Sequence, residues 1–202
     1  VGTFGGGLNL YDRSQDQFSY YHHVNTEPQS LSGDMIFPIL AAPDGKIWIG
    51  TYGAGLNMFD PASGKSVHYR RDPANPNSLL SDTIRSLLLD KDGTLWIGTD
   101  QGLDRLDPGS SKFIHYVSNA QDPKSIPFGT VYKIYRDSRS IYWVGTARGV
   151  RIFSPVNGEF TRIDVGPGAS ADLADGPVRV IYEDRSGAIW LGADTHGLFR
   201  LN

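Results

Sequence analysis

The sequence predicts an all-β fold: a β-propeller of four-stranded antiparallel blades on a 47–48-residue repeat, with three complete and two partial blades forming an arc of a larger ring. Three observations carry this. A tryptophan motif returns four times, as IWIGT at 47–51, LWIGT at 95–99, YWVGT at 142–146 and IWLGA at 189–193. Its tryptophans, Trp48, Trp96, Trp143 and Trp190, stand 48, 47 and 47 residues apart, and a period in the forties with several short strands per unit marks propeller blades. Apolar residues between the tryptophans fall in short β-type runs, and no helical periodicity survives.

The elements follow in order. Val1-Gly2-Thr3 is the tail of the tryptophan motif one period early, and a partial blade at 1–24 carries the second, third and fourth strands (B, C and D). Complete blades occupy 33–70, 82–117 and 129–164. The unit is clearest in the second of these. Ile84–Leu89 is the inner strand A, Asp90-Lys91-Asp92-Gly93 a turn, and Thr94–Thr99 strand B. Asp100-Gln101-Gly102 turns into strand C at Leu103–Leu106, and Asp107-Pro108-Gly109-Ser110 into strand D at Phe113–Val117. Short strands between Gly, Pro and Asp turns form antiparallel meanders. A last partial blade, 176–202, holds A, B and C.

Strand B is central in its blade, so each tryptophan fills the wedge between diverging sheets, and Gly50, Gly98, Gly145 and Gly192 let the adjacent blade approach. The D–A linkers are patterned too. Ser30-Leu31, Ser78-Leu79 and Ser125-Ile126 place an aliphatic anchor after Asn, Asp and Pro residues that stop the outer strand. The fourth linker, 165–176, is richer in Gly, Ala and Asp and is expected to be the mobile one. Side by side, the partial blades give A-B-C and B-C-D rather than one A-B-C-D sheet. Further blades, or self-association, are therefore expected to complete the ring.

Composition sets outer limits. The chain has 202 residues, 39% hydrophobic and 20% charged, enough to bury a core. Net charge is −3 and basic residues are scattered, which argues against a nucleic-acid partner. With no cysteine there are no disulfides, thiolate metal sites or cysteine nucleophiles. No stretch reaches membrane-spanning length, so no direct membrane insertion is expected of this segment.

The run Leu87-Leu88-Leu89-Asp90-Lys91-Asp92-Gly93-Thr94-Leu95-Trp96-Ile97-Gly98-Thr99-Asp100-Gln101-Gly102-Leu103-Asp104-Arg105-Leu106-Asp107, with its Ser-Leu-Ser-type approach, resembles the two-component regulator propeller repeat. Such repeats form periplasmic sensor regions of bacterial hybrid histidine kinases. The resemblance implies a periplasmic or extracellular, non-catalytic sensor, often of oligosaccharides. A protein–protein interaction or receptor-dimerisation platform is the alternative, and a propeller lyase or lactonase ranks last.

Chemistry is sparse. His68 and His115 occupy one repeat position in strand D, where other copies have Tyr20 and Arg162, and read as a structural ladder. Asp90-Lys91-Asp92-Gly93 lacks the later ligands of a calcium loop. No motif calls for a cofactor, a metal or a catalytic residue. The candidate site is geometric: D–A and B–C connections emerge on one face around the channel. Aligning the A strands on Asp90, Asp137 and Asp184 puts Phe37, Arg85, Tyr132 and Arg179 at one position near its mouth. The B–C turns add Tyr52, Asp100, Gln101, Arg148, Asp194 and His196. Rings stack on sugar faces and guanidinium forks hold carboxylates or hydroxyls, so the expected ligand is an oligosaccharide or a small anion.

Overall fold

A computed structural model describes residues 1–163, 175–194 and 197–201. Strands β1 (Leu8–Asp12) and β2 (Gln17–Tyr21) form a two-stranded sheet. Three four-stranded meanders follow. The first is β3 (Ile36–Ala41), β4 (Ile47–Thr51), β5 (Leu56–Asp60) and β6 (Lys65–Tyr69). The second is β7 (Ile84–Leu89), β8 (Leu95–Thr99), β9 (Leu103–Leu106) and β10 (Phe113–Tyr116). The third is β11 (Val131–Arg136), β12 (Tyr142–Thr146), β13 (Gly149–Ser154) and β14 (Glu159–Arg162). A three-stranded sheet closes the series: β15 (Val178–Glu183), β16 (Ile189–Ala193) and β17 (Gly197–Leu201). All pairings join consecutive strands antiparallel. These are propeller blades, and "first" to "fifth" below number them along the chain.

One feature differs from the sequence expectation. The strand expected at 1–3 shrinks to a single bridge, Gly2 to Leu8, while on its other side Phe4 bridges Met35 and Thr3 O accepts Ile36 N–H. The fourth linker lies almost wholly outside the described residues.

Each joint between neighbouring blades has its own buried cluster. One unites Leu56 of the second blade with Ile84, Leu106 and Phe113 of the third and with the linker's Leu79. The next unites Trp96 and Leu103 of the third with Val131, Phe153 and Phe160 of the fourth. The repeated glycines set this spacing. A Cβ on Gly98 would stand 2.9 Å from the Val131 carbonyl oxygen, and one on Gly145 2.5 Å from that of Val178. One on Gly2 would meet Ile36 Cγ2 at 2.5 Å, so the Val-Gly-Thr opening packs as a second strand does.

Polar groups inside the blades are paired by repeat position. The indole N–H of Trp96 donates to Asp90 at 2.8 Å, of Trp143 to Asp137 at 3.0 Å and of Trp190 to Asp184 at 2.7 Å. In the second blade Ala42 takes the aspartate's place, and Trp48 has no such acceptor. The A–B aspartate is thus a tryptophan anchor. The motif threonines clamp the B–C turns: Thr51 Oγ1 donates to Gly55 O at 2.7 Å, Thr99 to Gly102 O at 3.0 Å and Thr146 to Gly149 O at 2.7 Å.

The linkers repeat as closed loops. Val24 N–H donates to Ser30 Oγ at 2.9 Å, Asp72 N–H to Ser78 Oγ at 2.8 Å and Asn119 N–H to Ser125 Oγ at 2.9 Å. Leu31, Leu79 and Ile126 are buried beneath them. Strand C pins two of these loops. Asn57 Oδ1 accepts Ser32 N–H at 2.9 Å, and Asp104 Oδ2 accepts Leu80 N–H at 2.9 Å. At the third position Pro127 has no N–H to offer, and strand C carries Arg151 instead of an acceptor. The strand-D histidines hold the same loops: His68 Nε2–H donates to Ser30 O at 2.6 Å, and His115 Nε2–H to Pro76 O at 2.9 Å.

Candidate functional site

The four aligned strand-A residues share one backbone peculiarity. Ile84 pairs with Thr99 and Ser86 with Gly98, so Arg85 is an extra residue. Val131 pairs with Thr146 and Lys133 with Gly145, leaving Tyr132. Val178 pairs with Ala193 and Val180 with Gly192, leaving Arg179. In the second blade the shift spans Ile36 to Ile39 and takes in Phe37 and Pro38. Every first strand therefore bulges at the sequence-aligned position, and a bulge re-aims its side chain away from the regular sheet face.

The rim carrying these bulges is held by backbone bonds between blades. Gly5 and Gly7 N–H both donate to Asp34 O at 3.1 Å. Gly53 and Gly55 N–H donate to Asp82 O at 3.1 and 2.8 Å. The B–C turn of each of these blades thus docks on the residues that lead into the next blade's first strand.

The bulged side chains gather in two groups. Arg85 lies with its guanidinium carbon 5.4 Å from the Phe37 ring centre and 5.0 Å from that of Tyr52. The Phe37 and Tyr52 rings are 5.8 Å apart. Phe4 extends this aromatic strip, 6.1 Å from Phe37. The second group is Arg179, 4.2 Å over the Tyr132 ring, with its Nε–H donating to Asp194 Oδ1 at 2.5 Å. The hydrogen bond to Asp194 holds the Arg179 guanidinium above its ordinary pKa, and the same bond holds the Asp194 carboxyl below its own. Each arginine leans on aromatic residues of the blade before it, an attraction of roughly 0.5–1 kcal/mol at an exposed site.

The remaining candidates are dispersed. Asp100 is half-buried on its B–C turn. Gln101 and Arg148 are exposed, and their side chains make no hydrogen bond or ion pair among the described residues. His196 lies outside the described residues. Sequence reasoning missed Phe4, although aligning Thr3 with Thr51 would have set it beside Tyr52. It also missed Lys133, half-buried next to Tyr132, whose ammonium burial pushes below its usual pKa. No three His, Cys, Asp or Glu side chains converge among the described residues. The site is an open rim. A separate concavity of about 550 Å³ lies at the outer edge, between Tyr20, the 24–31 linker and Ser63–Lys65. It is the place to look if the rim proves inert.

Three stretches, residues 30–53, 78–101 and 172–195, match the family model described as the two component regulator propeller. Those three stretches are similar to the two-component regulator propeller repeat. The matched stretches take in Phe37, Tyr52, Arg85, Asp100, Gln101, Arg179 and Asp194, whereas Tyr132 and Arg148 lie outside them. No curated protein is matched by the sequence. Among solved structures, the extracellular domain of BT3049, assigned as a hybrid two-component system of B. thetaiotaomicron, is 26% identical with a TM-score of 0.79. The alignment covers 98% of this chain and 24% of that one. The corresponding domain of BT4673 from the same organism is 22% identical with a TM-score of 0.75, over 97% of this chain and 25% of that one. Virginiamycin B lyase from Staphylococcus aureus shares the fold at 13% identity and a TM-score of 0.64, over 98% of this chain and 63% of that one. The chain thus spans about a quarter of the length of the two-component structures it resembles.

Proposed function

We propose that this segment is the non-catalytic, ligand-recognising part of an extracytoplasmic sensor, and that its ligand, an oligosaccharide or a small anion, binds on the bulged rim. The observation that carries this reading is the bulge itself, repeated in four blades at the position holding Phe37, Arg85, Tyr132 and Arg179. A repeat built only for packing has no need to re-aim those side chains. Guanidinium groups and exposed rings suit recognition of hydroxyls, carboxylates and sugar faces. The rim's carboxylates, Asp100 and Asp194, stand apart, and Asp194 is engaged by Arg179, so the residue set favours binding over acid–base work. The likeness to extracellular domains of two-component systems supports the sensor role and the extracytoplasmic location. The test is a calorimetric titration of Arg85→Ala with Tyr132→Ala against the wild-type chain. Binding of the glycan or anion that the wild type takes should be abolished while the thermal melt stays put. Full affinity in the folded double variant would place the site elsewhere.

A second reading, an interaction platform, rests on the end faces. Leu198 is 64% exposed, whereas its counterparts Leu56, Leu103 and Val150 are each 0% exposed. We propose that a second copy of the chain covers this face in the isolated segment.

A further inference from the structure

The first three D–A linkers fold alike, but the first leaves open two backbone donors that the other two close. Their turns repeat. Glu27 N–H donates to Val24 O and Ser30 N–H to Glu27 O, both at 2.9 Å. Asn75 and Ser78 make the same bonds in the second linker, and Asp122 and Ser125 in the third, all at 3.0 Å. In the second linker Asp72 Oδ1 accepts Ala74 N–H at 2.9 Å and Asn75 Oδ1 accepts Asn77 N–H at 3.0 Å. In the third, Asn119 Oδ1 accepts Gln121 N–H at 3.0 Å and Asp122 Oδ1 accepts Lys124 N–H at 2.9 Å. The first linker has Val24 and Glu27 at these capping positions. Valine offers no acceptor, and glutamate is a methylene too long for so tight a turn. The N–H groups of Thr26 and Gln29 accordingly have no partner among the described residues.

A second difference lies across the same cleft. Lys124 of the third linker is tied to Glu159, at the start of the next blade's outer strand, by an ion pair of 2.9 Å. Their counterparts at the first linker are Gln29 and Lys65. The Lys65 ammonium makes no ion pair or hydrogen bond among the described residues. Thr26, Gln29 and Lys65 are all exposed, and all line the concavity of about 550 Å³ between the first and second blades. That volume falls within the roughly 300–1,000 Å³ of small-molecule sites. The donors on offer are two amide N–H groups, held by the same turns as their counterparts, and one ammonium. The other linkers show which atoms such amides take: the planar oxygens of an aspartate or asparagine side chain. The unpaired ammonium selects the charged form. Tyr20, Tyr21 and Pro28 add ring surface to the wall. Glu27 is the one carboxylate lining the cleft among the described residues, and its exposure to solvent screens it.

We infer that the cleft between the first and second blades binds a carboxylate carried on an apolar body. Its oxygens take the places that the capping side chains of Asp72, Asn75, Asn119 and Asp122 hold in the other linkers, and Lys65 supplies the counter-charge. This site is separate from the rim and does not rest on the reading of the rim.

The experiment is a titration of the isotope-labelled full chain, followed through its backbone N–H resonances. The probes are phenylacetate, phenylacetamide, inorganic phosphate and a short peptide ending in phenylalanine, with its terminal carboxyl free or amidated. Phenylacetate or the free-acid peptide should move the Thr26 and Gln29 signals and bind about tenfold or more tightly than its amide, a preference that Lys65→Gln removes. Whichever acid binds more tightly names the source, a small acid or a chain end, and either supports the site. Val24→Asn and Glu27→Asn install residues that the other linkers carry at these positions, so both should fold. Each closes one amide and should weaken the acid by about fivefold or more, the net worth of a hydrogen bond. Glu27→Asn is the sharper of the two, because loss of a negative charge would by itself tighten binding. Glu27→Gln, too long to cap the turn, should hold the acid at least as well as wild type. Tighter binding by Glu27→Asn, or equal binding of acid and amide, would overturn the proposal. Phosphate held as tightly as the acid would overturn the carboxylate assignment, and unmoved Thr26 and Gln29 signals in the wild type would remove the site altogether.

Discussion

Trp96 is 2% exposed and still has its indole N–H paired, with Asp90 Oδ2. The same carboxylate accepts the Tyr142 hydroxyl of the next blade at 2.5 Å and faces Arg136 at 3.5 Å. Burial, with the Asp90 hydrogen bond, pushes the Tyr142 hydroxyl up to about 12. Trp96→Ala therefore opens a cavity and strips Asp90 of one donor at a joint between two blades. A loss of about 3–5 kcal/mol is expected, read as a shift in denaturant midpoint; an unchanged midpoint would mean the ring is not structural. His115 offers a subtler test. Its Nδ1 lies 2.6 Å from the buried Asp104 carboxylate while Nε2–H donates to Pro76 O, so both ring nitrogens act as donors. The Asp104 hydrogen bond raises the His115 pKa, and burial pushes the Asp104 carboxyl up. Both groups hold protons more tightly folded than unfolded. Their contribution is complete in acid, below the unfolded carboxyl pKa. It fades as pH climbs through the raised carboxyl value, and the imidazole's share goes above the ordinary histidine value of about 6.5. Asp104→Asn copies the Asn57–His68 arrangement of the second blade, so it should fold. Denaturant midpoints taken on either side of neutrality should fall more for wild type than for Asp104→Asn; parallel curves would show that the pair does not titrate with folding.

At the scale of the strand, the conserved spacing of the blades reduces to a glycine and what faces it. A Cβ on Gly145 would lie 2.5 Å from a backbone oxygen of the next blade, which cannot rotate away, whereas one on Gly192 meets only Val180 of its own blade at 3.2 Å. Gly145→Ala should cost about 1–3 kcal/mol by overpacking and Gly192→Ala markedly less. Equal melting shifts would mean the glycines answer to strand conformation, not to blade approach. Much of this was legible in the sequence, because a residue that packs identically in every blade recurs at every period. The tryptophans, the Gly after them and the buried Leu31, Leu79 and Ile126 are of that kind. The bulges were not legible. Alignment found Arg85, Tyr132 and Arg179 in one column, but an extra residue shows only when strand A is paired against strand B. Contacts that cross blades were hidden for the same reason: nothing within the third repeat says that Arg85 will lean on Phe37 and Tyr52 and leave Asp100 alone. The Pro127–Arg151 substitution could have been read, since a proline that removes an N–H predicts loss of its acceptor.

Across the whole molecule, the joints are directional. Leu56 of the second blade meets Leu106 and Phe113 of the third, and Leu103 of the third meets Phe153 and Phe160 of the fourth. These two joints set a strand-C aliphatic residue of one blade against strand-C and strand-D side chains of the next. The first blade presents the receiving half of such a joint, Tyr11 and Phe18, with Phe18 49% exposed against 4% for its counterpart Phe113. The fifth blade presents the other half, Leu198 with Val180 and Tyr182, all exposed. Two unlike, complementary faces at opposite ends favour head-to-tail association, which closes into a ring or runs on as a chain according to the rotation at each joint. The isolated 202-residue polypeptide is therefore expected to associate as its concentration rises, with each added copy bringing Tyr11 and Phe18 onto Leu198. Phe18→Ser, which installs the residue that Ser66 supplies in the second blade, and Leu198→Glu should each weaken that association without unfolding the internal blades. Sedimentation across a dilution series measures it. A monodisperse monomer at every concentration, binding no hydrophobic dye, would show that the end faces are satisfied within one chain and would defeat the head-to-tail reading.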